Sequence, residues 1–175
     1  MSSESERQAR FEELATAYGS DLFRFAMWLC GDEALARDLV QETYVRAWKA
    51  LDKLQDRAAA KAWLITILRR EHARTFERKV PKFTDVEQVN VADEPGLEPD
   101  MRAEIALLRR QILKLAPKYR EPLLLQVVVG LSCDEIASEL GVSRSAVMTQ
   151  LFRARAQLKD RMQEAAGEGN VHGLY

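Results

Sequence analysis

The sequence predicts an all-α protein built from two small helical domains joined by a flexible acidic linker. Three observations lead there. Apolar residues recur at three- and four-residue steps over most of the chain, the helical period. The five prolines and eight glycines leave long segments rich in Ala, Leu, Arg and Glu, all strong helix formers. Charge is segregated: residues 1–84 hold 15 basic and 13 acidic groups, residues 85–104 hold one and seven, and residues 105–175 hold ten and seven. Two mildly basic halves thus flank an acidic connector, although the whole chain carries a net charge of only −1.

At 175 residues and 47% hydrophobic content the chain has material for real cores rather than a disordered tail. No apolar run approaches the roughly 20 residues that span a bilayer, and the opening "MSSESERQAR" lacks the basic-then-apolar order of a secretory signal. The expected location is the cytoplasm, without direct membrane insertion. Cys30 and Cys133 lie about a hundred positions apart and read as small thiols. His72 and His172 have no ligand spacing, so neither a metal nor a cofactor is expected.

The first helix is expected from Arg7 to Leu29, on the stripe Phe11, Leu14, Ala15, Tyr18, Leu22, Phe25, Ala26 and Leu29. Gly31-Asp32 breaks it, and Asp32 caps a second helix running to Leu51. There Ala36, Leu39, Val40, Thr43, Ala47 and Leu51 form the buried stripe, leaving Asp38, Gln41, Glu42, Val45, Arg46 and Lys49 outward. A loop around Lys53 to Arg57 enters a third helix from Ala58 to Arg78, anchored by Leu64, Ile67, Leu68 and Phe76. Its end, "RREHARTFERKVPK" (69–82), holds six basic residues against two acidic ones.

From Pro81 to Asp100 the chain carries Pro95, Gly96 and Pro99 with few large apolar groups, the composition of a linker. Domain limits follow at residues 1–80, 81–100 and 101–165, with 166–175 a loose tail. A fourth helix is expected from Met101 to Leu115, and a fifth from Pro117 through "LLLQVVV" to Gly130, with Pro122 tolerated near its start.

"GLSCDEIASELGVSRSAVMTQLFRARAQL" (130–158) follows. Ser132 and Glu135 have capping-box spacing, and Ile136, Ala137 and Leu140 make an inner face. Gly141 ends that helix, Val142 plugs the corner, and Ser143 caps a last helix whose Val147 and Leu151 face inward. This order of small residue, glycine, apolar plug and apolar pair is a helix-turn-helix signal; the alternative is an ordinary helical hairpin. The outer face of the last helix favours the first reading. Arg144, Ser145, Met148, Thr149, Phe152, Arg153 and Arg155 suit base edges and phosphates, and residues 144–161 hold five basic groups against one acidic.

"GDEALARDLVQETYVRAWKAL", "AAAKAWLITILRREHARTFERK", the acidic connector and "LAPKYREPLLLQVVVGLSCDEIASELGVSRSAVMTQLFRARAQLK" together resemble the two-domain bacterial sigma factors of the extracytoplasmic-function group, over residues 10 to 162. The resemblance implies a protein that binds core RNA polymerase and directs promoter-specific initiation of a stress or envelope-type regulon. Sigma region 2 would fill the first domain, with Asp38, Leu39, Gln41, Glu42 and Arg46 docking on the clamp of the β′ subunit. The loop Leu54, Gln55, Asp56, Arg57 with Lys61 would hold a flipped base of the −10 element. Arg69, Arg70, Arg74 and Arg78 would track the melted strand, while Trp63 belongs to the core.

Sigma region 4 would sit on the flap of the β subunit and read the −35 element. Met148, Thr149, Phe152 and Arg153 would lie nearest the bases, with Ser145 beside them and Arg144 and Arg155 toward phosphates. The acidic linker would thread the polymerase's positively charged interior. An anti-sigma factor, anchored in the inner membrane in many relatives, is the implied regulator, and no small-molecule substrate is implied. Two steps depart from the common pattern: Arg70 stands where many relatives have Asn, and Met148-Thr149-Gln150 where many have a basic-Ser-Arg step.

Other functional classes fit less well. A stand-alone repressor would also own a helix-turn-helix, but would ordinarily add a dimer interface or sensor domain. An enzyme would need more than Asp38 with Glu42, or Glu71 with His72, as acid/base pairs. Neither pair has a pocket signature or phosphate loop beside it, and both read as solvent-facing helix charges.

Overall fold

The computed structural model describes residues 3–78 and 96–171, with the side chains of 76–78 and 168–171 outside that description. The linker expected at 81–100 therefore falls mostly on residues that are not described. The chain divides into two compact units, residues 1–92 and 93–175. Seven α-helices and no strand are present among the described residues.

In the first unit α1 (Glu4–Cys30) starts on a Ser3/Glu6 capping box and stops at Gly31, which takes the left-handed conformation (φ 72°). The box lies one turn before the expected start at Arg7. α2 (Glu33–Lys49) is capped by the Asp32 side chain, which accepts from the Leu35 N–H at 2.9 Å. Short 3₁₀ turns at Leu51–Lys53 and Arg57–Ala59 lead into α3 (Ala60–Arg78).

The three helices pack pairwise around Leu22, Phe25, Ala26, Ala36, Val40, Ala47, Leu64, Ile65 and Leu68, all buried. Ile65 belongs to the buried set, whereas Ile67, expected there, is half-buried. Beside this core, Leu14, Leu51, Leu54 and Ala60 form a cluster against which Phe11, Tyr18 and Trp63 pack. Phe11 meets the Tyr44 and Trp48 rings edge-on, and Arg7 stacks 4.9 Å from the Trp48 ring while donating to the Trp48 carbonyl at 2.7 Å.

In the second unit α4 (Pro99–Leu113) begins two residues before the expected Met101, because the fixed φ of Pro99 fits a first helical turn as well as a linker. α5 (Pro117–Leu124) passes into a π-helical turn, Leu125–Val129, rather than running on as α-helix to Gly130. The wider turn lets Leu125, Val129 and Leu131 all face inward and leaves Val127 68% exposed.

α6 (Cys133–Leu140) and α7 (Arg144–Val171) complete the unit, and α4, α5 and α6 all pack on α7. The expected tail is helical through Val171, for Ala165 and Ala166 favour a helix that Gly167 and Gly169 oppose by only about 1 kcal/mol each. No helix among the described residues is long and apolar enough to cross a membrane.

Candidate nucleic-acid interface

α2 turns Asp38, Gln41, Glu42 and Arg46 to solvent, because its other side fills the core. Arg46 pairs with Glu42 one turn earlier, Nε to Oε1 at 3.2 Å. Leu39 corrects the expected surface: it is buried, since it follows Ala36 and precedes Thr43 on the inner stripe, and its side chain serves the core.

Leu54 is a second correction. Its side chain is only 4% exposed and lies in the small cluster with Leu14, Leu51 and Ala60, so it has no face for a base. Its backbone pins the loop: the N–H donates to the Leu51 carbonyl at 3.1 Å, and its carbonyl accepts from the Arg10 guanidinium. Gln55, Asp56 and Arg57 are exposed beside it, with Asp56 accepting from the Ala58 N–H at 2.9 Å. Arg57 pairs with Glu13 at 3.3 Å and Lys61 with Asp21 at 3.4 Å, both acids coming from α1.

Along α3, Arg70 and Arg74 are exposed on one face, Arg69 is half-buried, and the Arg78 side chain lies outside the described residues. Glu71 is 7% exposed, which overturns its reading as a solvent-facing charge. The signal was present: Glu71 falls three residues after Leu68 and seven after Leu64, on the stripe that packs against α2. Its neighbour His72 is half-buried.

In the second unit the Ser132 hydroxyl accepts from the Glu135 N–H, and the Glu135 carboxylate from the Ser132 N–H at 2.7 Å, closing the capping box. Gly141 adopts φ 66°, and the Val142 N–H bonds the Ala137 carbonyl at 3.1 Å, the Schellman arrangement that swings the chain into α7. Val142 is exposed rather than a corner plug; the buried groups are Ile136, Val147, Leu151 and Ala154. Ser143 accepts from the Ala146 N–H at 3.1 Å, as a cap for α7.

Arg144, Ser145, Met148, Thr149, Phe152, Arg153 and Arg155 all lie exposed on α7, with Phe152 at 74% and Met148 at 54%. Arg144 pairs with Asp134 at 3.7 Å, and Arg155 donates to the Gln126 amide oxygen. A shallow concavity beside this face is lined by Lys118, Tyr119, Ser143, Ser145, Thr149 and Arg153. Hydrogen bonding from Arg153 holds the Tyr119 phenol below its usual pKa, with Lys118 adding to the effect. Lys118 and Tyr119 had no sequence signal, because they precede the helix-turn-helix by more than ten residues and reach it only through the packing of α5 on α7.

Sigma-70 region 2 matches residues 14–80, and sigma-70 region 4 matches residues 105–158. RNA polymerase sigma factor CnrH of Cupriavidus metallidurans is 33% identical over 166 residues, covering 88% of this chain and 87% of its own. The ECF RNA polymerase sigma factor SigL of Mycobacterium tuberculosis is 30% identical over 164 residues, covering 89% and 90%. The solved structure of CnrH in complex with the cytosolic domain of CnrY is 29% identical and superposes with TM-score 0.68 over 90% of each chain. The sigma factor RpoE in complex with the anti-sigma factor NepR, from Bartonella quintana, shares the fold, with TM-score 0.71, 24% identity and coverage of 88% of this chain and 97% of its own. The chain belongs to the sigma-70 family, in its extracytoplasmic-function group, and is a transcription initiation factor.

Proposed function

We propose that this sigma factor docks on the clamp of core RNA polymerase through Asp38, Gln41, Glu42 and Arg46, and opens promoters with the loop and helix that follow. Gln55, Asp56, Arg57 and Lys61 surround the flipped −10 base, and Arg69, Arg70, Arg74 and Arg78 follow the backbone of the separated strand. The second unit sits on the polymerase flap and reads the −35 element with α7. The observation that carries this reading is the exposure of Met148 and Phe152 among arginines and hydroxyls on one helix face. Large apolar groups held in solvent between donors suit a major groove, where they meet thymine methyls while the donors meet base edges.

Regulation by an anti-sigma factor completes the proposal, supported by the partners of the two solved structures. The partner covers the outer face of α2 and the segment around Val127, keeping the protein from polymerase. A stress or envelope-type regulon and recruitment to the inner membrane through that partner belong to the same reading. The test is transcription on genomic DNA by core polymerase with and without the protein. New start sites preceded by a common −35 sequence are expected, and no new transcript beside an active control would refute the assignment. A repressor would instead bind its duplex site tightly without polymerase.

A further inference from the structure

Glu71 is the one buried carboxylate among the described residues, and nothing in the interface above uses it. Burying an unpaired carboxylate on the Leu64–Leu68 stripe would be costly. Here two guanidinium groups on different helices offset that cost. Glu71 Oε1 lies 3.4 Å from Arg46 Nε of α2 and accepts from Arg74 Nη1 of α3 at 3.1 Å. Arg46 Nε also reaches Glu42, so charges alternate Glu42, Arg46, Glu71, Arg74 around a small concavity completed by Thr75. The two arginines therefore share one oxygen of one fixed acid. Arg46 is placed above on the polymerase face and Arg74 on the melted strand.

We propose that Glu71 is a positioning residue that couples polymerase docking to strand separation, an inference that rests on the interface assignment above. Drawing Arg46 toward the clamp leaves the shared oxygen to Arg74 alone, which fixes the aim of Arg74 in the docked state. Without the acid the two arginines act independently. Glu71 touches neither polymerase nor DNA in this arrangement; it acts through its two partners.

The experiment is a double-mutant cycle of Arg46→Ala and Arg74→Ala in the full chain, with core polymerase. It measures core affinity and the rate of open-complex formation on a duplex promoter taken from the transcription experiment. With Glu71 present, the double variant should depart from the product of the single effects on opening by about threefold or more. In a Glu71→Leu background the effects should multiply. Leucine continues the apolar stripe and removes the buried charge, and the two arginines left behind are both about half exposed, so neither is stranded as a buried unpaired charge. A Glu71→Gln background, which keeps shape and an acceptor but no charge, should lose most of the coupling and serves if the leucine variant misfolds. Single effects that multiply with Glu71 in place would overturn the proposal while leaving the interface standing. If Arg46→Ala leaves core affinity unchanged and Arg74→Ala leaves opening unchanged, the interface assignment itself has failed, and the coupling with it.

Discussion

Leu54→Ala separates a core residue from a contact residue at a position where the two readings diverge. Truncating a buried leucine costs about 2–5 kcal/mol, depending on how far the site collapses. Around Leu54 the fully buried neighbours are Leu14, Leu51 and Ala60, while Phe11, Tyr18 and Trp63 are only partly buried and have room to settle inward. That places the cost near the lower end, about 2–3 kcal/mol. For a unit of 92 residues this corresponds to a fall in melting temperature of about 10–20 °C. Three tryptophans, Trp28, Trp48 and Trp63, are the chain's full complement and all lie in the first unit, so their fluorescence follows that unit alone. Below the transition, Leu54→Ala should open promoters nearly as well as the parent, while the exposed Gln55→Ala should open them poorly with melting unchanged. A Leu54→Ala protein that melts like the parent yet fails to open promoters would show the side chain to be a DNA contact and the cluster energetically idle.

Ser132→Ala removes half of the α6 capping box and should cost the second unit about 1 kcal/mol, read by circular dichroism melting with the tryptophan signal unaffected. Arg153→Ala should move the Tyr119 phenol titration upward toward its ordinary value, followed by ultraviolet absorbance, and should weaken −35-dependent promoters by roughly 1–3 kcal/mol. Asp134→Asn frees Arg144, and duplex binding should tighten by less than about 1 kcal/mol, as befits an exposed pair, with the gain disappearing at high salt.

The pattern of α2 was legible because each residue of its stripe does one thing: Ala36, Val40, Thr43 and Ala47 face the core and Asp38, Gln41, Glu42 and Arg46 face away. The Ser132/Glu135 capping box was legible for the same reason, its partners lying three residues apart. Leu39 and Leu54 went astray where a motif was carried over as a block. A motif marks a stretch under constraint without dividing its contact residues from those that hold the stretch in place. Glu71 was misread for the opposite reason: charge type outweighed a periodic position that already pointed inward. Its counter-ion Arg46 comes from another helix, and Lys118 and Tyr119 reach the recognition face across the packing of α5 on α7. Such pairings depend on tertiary structure, so no local window contains them.

Those cross-helix pairs also explain how a chain of net charge −1 serves a polyanion. Arg57, Lys61 and Arg144, all assigned to DNA in the proposed function, each meet a carboxylate from another element of their own unit: Glu13, Asp21 and Asp134. A phosphate approaching any of them exchanges one anion for another, so the counterion release that drives unaided binding is reduced at each site. Affinity must then come from arranging many such exchanges at once. Under the proposed function, two units held on one polymerase would achieve this, because engagement of the first makes the second an intramolecular event at high effective concentration. On the proposed function, the acids beside the arginines would make recognition conditional on polymerase.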